Sequence, residues 1–137
     1  MVSSVIHVGR GLLPEDAAAQ RLPAAHAAFH RDARFFLKQL ANQLGLQPGG
    51  YTITVRPAAG SYAGEVVLRT TCWLMLVSRS EAGASFAHAC FEPGRRIADQ
   101  TLARSTVTEI MNGVGQARFI DACRASLLAS RSPDRSV

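Results

Sequence analysis

The stretch SFAHACF, residues 85–91, sets His88 two positions before Cys90 in a run that otherwise reads as a short buried strand. A histidine can serve a cysteine as base, but only when the two approach within hydrogen-bond reach, about 3 Å. On a strand, residues two apart share a face with Cβ atoms roughly 6.5–7 Å apart, and their side chains stand parallel. Phe86, His88 and Cys90 would share one face, with Ser85, Ala87, Ala89 and Phe91 on the other. A thiol also gains reactivity from a helix N-terminus, which this context does not offer. The pair is therefore expected to be core, a packed thiol beside a hydrogen-bonded histidine, with a thiol-dependent site as the competing reading.

HAAFH, residues 26–30, places His26 and His30 one helical turn apart. That spacing can chelate zinc or nickel and is the spacing of the zinc-protease motif, which further requires a glutamate directly after the first histidine. Ala27 stands there, so the protease reading fails. A third ligand would have to come from His7, Asp32 or a remote residue. Otherwise both rings border an apolar stripe with a nitrogen in water. Cys72, Cys90 and Cys123 lack the paired spacing of a zinc knuckle, and their odd number argues against a disulfide framework. HVGRG and NGVGQ contain close glycines without the strand-to-helix context of a phosphate loop, and read as turns. Asp99, Glu109 and Asp121 are not spaced as a catalytic carboxylate couple. No cofactor is expected.

The net charge is +5, and Lys38 is the only lysine among the basic residues. Arg56, Arg69 and Arg79 could line one sheet face, and Arg95–Arg96 is the one adjacent pair. These five are the candidates for nucleic-acid contact. Only Tyr51 and Trp73 stand near enough in sequence to offer stacking surfaces.

The elements that must position these groups follow from periodicity. SVIHV (4–8) reads as a short strand, and Pro14-Glu15-Asp16 as a helix start. Pro23 either kinks or restarts that helix. Leu22, Phe29, Ala33, Phe36, Leu40 and Leu44 then recur at helical spacing up to Gly45. YTITVRP alternates as a strand, with Tyr51, Ile53 and Val55 on one face. EVVLRTTCWLMLVSRS (65–80) has no glycine, proline or asparagine to break it and reads as one long strand, joined by EAG to the opening stretch. Helices are expected over Ile97–Met111 and Gln116–Ser130, the second carrying Phe119, Ile120, Cys123 and Leu127 on one face.

Along that long strand Val66, Leu68, Thr70, Cys72, Leu74 and Leu76 form one core face. The other starts polar and becomes apolar at Trp73, Met75 and Val77. A sheet with one wet face would keep alternating polar residues to the end, so the rear of this one must be covered by a helix or by a second copy of the chain. A bulge near Thr70–Thr71 would exchange the faces without removing the need. Trp73, Met75 and Val77 are thus the candidate interface.

The expected fold is α+β. A three- or four-stranded antiparallel meander packs against a long N-terminal helix, and C-terminal helical segments cover the other face or an edge. Residues 1–130 form one domain and 131–137 a flexible tail. At 137 residues, 47% of them hydrophobic, the chain can bury a core without staples. Its longest apolar run, CWLMLV, is far too short to span a membrane, and a cytoplasmic setting is expected. The leading functional expectation is a non-enzymatic protein acting through protein contacts, as a homodimer. A nucleic-acid binder is the first alternative and a metal- or thiol-dependent enzyme the second.

Overall fold

The computed structural model describes residues 5–14, 23–56, 64–80, 83–92 and 102–130. The expected helix start at Pro14–Asp16 falls mostly outside them, and the EAG loop does so at Glu81 and Ala82. Leu22, Arg95, Arg96, Asp99 and the tail at 131–137 lie wholly outside. The fold is α+β: a five-stranded antiparallel sheet, in order β1-β2-β3-β4-β5, with helices on it. The strands are Thr52–Arg56 (β1), Glu65–Arg69 (β2), Trp73–Ser80 (β3), Gly83–Cys90 (β4) and Ala103–Thr106 (β5). No described helix is long and apolar enough to cross a membrane.

The helix read from the phenylalanine stripe runs Pro23–Gln43 (α1). Proline suits the first helical position, where its missing N–H has no intrahelical acceptor. Phe29, Ala33, Phe36 and Leu40 are fully buried. Gly45, at φ +74°, closes the helix. There the Leu46 N–H donates to the Ala41 carbonyl at 2.9 Å, the six-to-one bond of a Schellman stop.

The long strand expected over 65–80 is instead a hairpin of β2 and β3. Thr70 makes the turn: its Oγ1 accepts from the N–H groups of Cys72 (3.2 Å) and Trp73 (3.0 Å), and its own N–H donates to the Trp73 carbonyl (2.8 Å). A threonine hydroxyl that satisfies the next backbone donors can turn a chain without glycine or proline. Arg69 then pairs with Leu74, and Leu68 with Met75. Val66 and Leu68 consequently share a face with Trp73, Met75 and Val77, while Leu74 and Leu76 point the other way.

A fifth strand replaces part of the expected Ile97–Met111 helix. β5 pairs with β4, and among the described residues of that range only Val107–Met111 (α2) is helical. The Thr106 hydroxyl accepts from the Glu109 N–H (3.3 Å) while the Glu109 carboxylate accepts from the Thr106 N–H (3.1 Å). This reciprocal capping box starts the helix at Val107 and leaves the residues before it free to pair. Asn112 stops α2, and Gly113–Ser130 (α3) follows.

Both long helices lie on the same face of the sheet, whereas the C-terminal segments are expected on the other face or an edge. Phe36 of α1, Phe86 of β4 and Phe119 of α3 meet there, with ring centroids 4.8–6.1 Å apart. Trp73, Met75, Val77, Val66 and Leu68 fill the rest of this core. On the opposite face Val67, Leu74, Ala87 and Ala89 are also buried, so the sheet is apolar front and back.

The described part of SVIHV, residues 5–8, does not join the sheet. Its Ile6 exchanges two hydrogen bonds with the Gln116 amide of α3, Ile6 N–H to Oε1 (2.8 Å) and Nε2 to the Ile6 carbonyl (3.0 Å). His7 exchanges two with Gln39 of α1 in the same manner, at 2.8 and 3.0 Å. Two side-chain amides thus stand in for neighbouring strands. A 3-10 turn at Arg10–Leu12 itself lies tight against α1. A Cβ on Gly11 would lie 2.5 Å from the Ala28 carbonyl oxygen, and the Gly11 N–H donates to Asp32 (2.7 Å). Gly11 therefore serves a close approach of two backbones, and Gly9 lies against the Asp32 carboxylate.

Candidate functional site

The three residues expected to face a partner are covered by their own chain. Trp73, Met75 and Val77 have no exposed surface. The Trp73 indole N–H donates to Ser126 Oγ of α3 at 3.0 Å, which pins the helix over the strand. Sequence periodicity locates the demand for a cover, and α1 and α3 supply it from within.

His88 and Cys90 share a face, as expected, and that face is the helix side; the histidine is not hydrogen-bonded through Nδ1, which is buried without a partner. Its ring lies against Trp73 (5.8 Å) and Phe119 (6.4 Å). Burial holds its pKa below the usual 6.5 by desolvating the cation. The unfolded chain then binds a proton that the folded chain resists, so stability falls as pH drops below 6.5 and levels off below the folded pKa. His88→Leu is expected to flatten this part of the stability–pH curve, followed by urea unfolding at a series of pH values; an unchanged acid slope would refute the assignment. Cys123, buried on α3, has its thiol pushed up to about 12 by desolvation, with Arg124 pulling weakly the other way. A thiol so raised stays protonated at neutral pH.

His26 and His30 are half-buried on α1. The candidate third ligands are committed elsewhere. Asp32 accepts from Gly11 and Arg31, and the His7 ring packs edge-on to Phe35 at 6.1 Å. His30 lies in a shallow groove with Arg31, Arg34, Phe35 and Lys38, whose charge disfavours a cation. Among the described residues, no three His, Cys, Asp or Glu side chains gather closely enough to hold a metal ion.

The expected arginine strip is split between the faces. Arg56 pairs with Glu65 at 3.2 Å, and Arg69 stacks over Phe91 at 4.6 Å, both opposite the helices. Arg79 is buried on the helix side, where it donates to the Ala25 carbonyl at 3.0 Å.

The surface that sequence reasoning missed is the outward side of α3. Asn112 caps this helix: its Oδ1 accepts from the N–H groups of Val114 (2.9 Å) and Gly115 (3.3 Å). Phe119, Ile120, Cys123 and Leu127 face the sheet as expected. Val114, Arg118, Asp121, Ala125 and Leu128 recur on the opposite side at alternating spacings of four and three. That is the interval at which one helix lies along another. Val114 is 64% exposed, Leu128 62%, and Met111, just before the helix, 57%. Ala117, Ala122 and Ala129 flank the line and are exposed too. Apolar side chains exposed at both ends of such a line gain from being covered. The signal was legible in VGQARFIDACRASLL as a second heptad-spaced line beside the one read. The chain matches no protein-family model, no curated protein and no solved structure.

Proposed function

We propose that the protein acts through contacts with other polypeptides, in the first place a second copy of itself, and not by catalysis. The observation that carries this reading is the exposure of Met111, Val114 and Leu128 at one helix and its approach. Among the described residues only Val5 and Phe35 are other large apolar side chains so exposed, and neither is on this helix. Burying a valine or leucine fully is worth about 1.5–3 kcal/mol, and a helix-on-helix contact is the plainest way to gain it here. A helix of 18 residues presents a seam roughly 27 Å long, enough for a dimer of modest affinity.

Sedimentation equilibrium from low to high micromolar concentration tests this. The wild-type chain is expected to self-associate and Leu128→Glu to remain monomeric. Because Leu128 is mostly in water in the single chain, the substitution should leave its unfolding free energy within about 0.5 kcal/mol of wild type. A wild-type protein that stays monomeric throughout removes the reading.

A further inference from the structure

From the charges on α3 we infer that two copies pair through this helix antiparallel, about a two-fold axis passing between residues 119 and 120, with Arg118 of each copy on Asp121 of the other. The inference rests on the self-association proposed above and adds its geometry.

The outward line of α3 has apolar ends and a charged centre: Val114, then Arg118 and Asp121, then Ala125 and Leu128. A parallel pairing would set Arg118 against Arg118 and Asp121 against Asp121, like charges at the heart of the seam. Such pairs oppose association and select against that arrangement. The antiparallel arrangement in the stated register converts both into attractive pairs. It also brings Val114 onto Ala125 of the other copy, a branched side chain onto a small one. Each Leu128 reaches the N-terminal end of the other helix, where Met111 is exposed. Size and charge thus select the same register. Sliding either helix by one turn would face Arg118 with Ala125 or Asp121 with Val114 and leave a charge on an apolar surface.

Asp121 has capacity for this second partner. Its carboxylate is 76% exposed and touches its own Arg124 through Oδ1 at 3.3 Å. Arg124 in turn donates to the Gln43 carbonyl at the end of α1 (3.1 Å). That hold keeps Arg124 on the flank and leaves the top of the line to Arg118. Charged residues at central seam positions commonly fix orientation and register at some loss of affinity, which suits a reversible dimer.

The test uses three full-length proteins in sedimentation equilibrium: wild type, Arg118→Glu and Asp121→Arg. Each variant alone places two like-charge pairs at its own seam and is expected to dissociate about tenfold more readily or worse. Mixed in equal amounts, the two variants restore opposite charges at both contacts. The introduced glutamate of the first faces the introduced arginine of the second, and the native Asp121 of the first faces the native Arg118 of the second. The mixture should recover dimer at close to wild-type affinity. Charge effects within a single helix cannot produce that rescue, because each variant carries its own helix unchanged into the mixture. If both variants dimerise as wild type does, or both fail and the mixture does not recover, the antiparallel register is wrong while self-association stands. If wild type and Leu128→Glu are alike monomeric, the broader reading falls with it.

Discussion

Replacing Gln116 with leucine is expected to lower the unfolding free energy by about 3 kcal/mol, read from urea denaturation. The amide is buried and makes three hydrogen bonds. Its Oε1 accepts from the Ile6 N–H, and its Nε2 donates to the carbonyls of Ile6 and Ile110, the last at 3.1 Å. Leucine fills much of the same volume but leaves one donor and two acceptors facing it, and an unsatisfied buried backbone group costs roughly 1–3 kcal/mol. Partial relaxation of the N-terminal segment toward water keeps the total below the sum.

Gln39 provides the internal control. It makes the same two-point grip on His7, but its bonds are exposed. Water can replace that amide, so Gln39→Leu should cost less than about 1 kcal/mol. Gln116→Glu should cost at least as much as Gln116→Leu at neutral pH, because it also buries a charge. The carboxylate still accepts from Ile6, but it turns an acceptor toward two carbonyls that need a donor. If Gln116→Leu proves no worse than Gln39→Leu, the grip on Ile6 does not hold the segment in place.

How far the fold could be read from the chain depends on which interactions specify each part. α1 was legible because Phe29, Ala33, Phe36 and Leu40 repeat a single period over many residues, and all four are fully buried. β1 and β4 were legible through alternation. The turn at Thr70 was not, because nothing in RTTCW carries a glycine or proline; the turn depends on one hydroxyl meeting two N–H groups. The error had a definite effect. A turn of this length restores Trp73 to the face of Leu68, so the two-sided apolar character assigned to one strand belongs to a hairpin. The need for cover was real, and α1 and α3 meet it on one side.

The TVTE run at Thr106–Glu109 carries a readable signal. A hydroxyl three residues before a glutamate marks a helix start, and it places β5 ahead of α2. The N-terminal segment was not readable by any period, since its partners are two glutamine side chains 110 and 32 residues along the chain. The outward line of α3 was present in the sequence but masked by its neighbour. When a helix is apolar on two sides, the periodic signal of the whole weakens and the stronger stripe dominates what is left. Of the candidate residues, Trp73, Met75 and Val77 lie in the core between the sheet and the helices. Which molecule covers them was a question of topology that spacing alone does not decide.

Two glycines in the first turn of α3 should respond to alanine with opposite signs. Helix propensity alone favours alanine at both, by up to about 1 kcal/mol. At Gly113 nothing lies within 4 Å of the Cβ that would be added, and neither glycine has a positive φ. Propensity should therefore decide, with Gly113→Ala stabilising by roughly 0.5 kcal/mol. At Gly115 the added Cβ would overlap the Glu109 carbonyl oxygen and press on the Glu109 carbonyl carbon at 3.0 Å. These are backbone atoms of α2 and cannot rotate aside as a side-chain end would. Asn112, with ψ 132°, turns the chain so sharply that the end of α2 abuts the first turn of α3. Relieving the overlap means moving the two helices apart. That motion also stretches the bond from Gln116 to the Ile110 carbonyl, one residue along on each side. Gly115→Ala should therefore destabilise by about 2 kcal/mol or more, overpacking outweighing the propensity gain. Urea midpoints of the two single variants measured side by side check the sign of each. Stabilisation by both would mean that α2 and α3 are not held in contact at this corner, and the buried position assigned to the Gln116 amide would lose its basis.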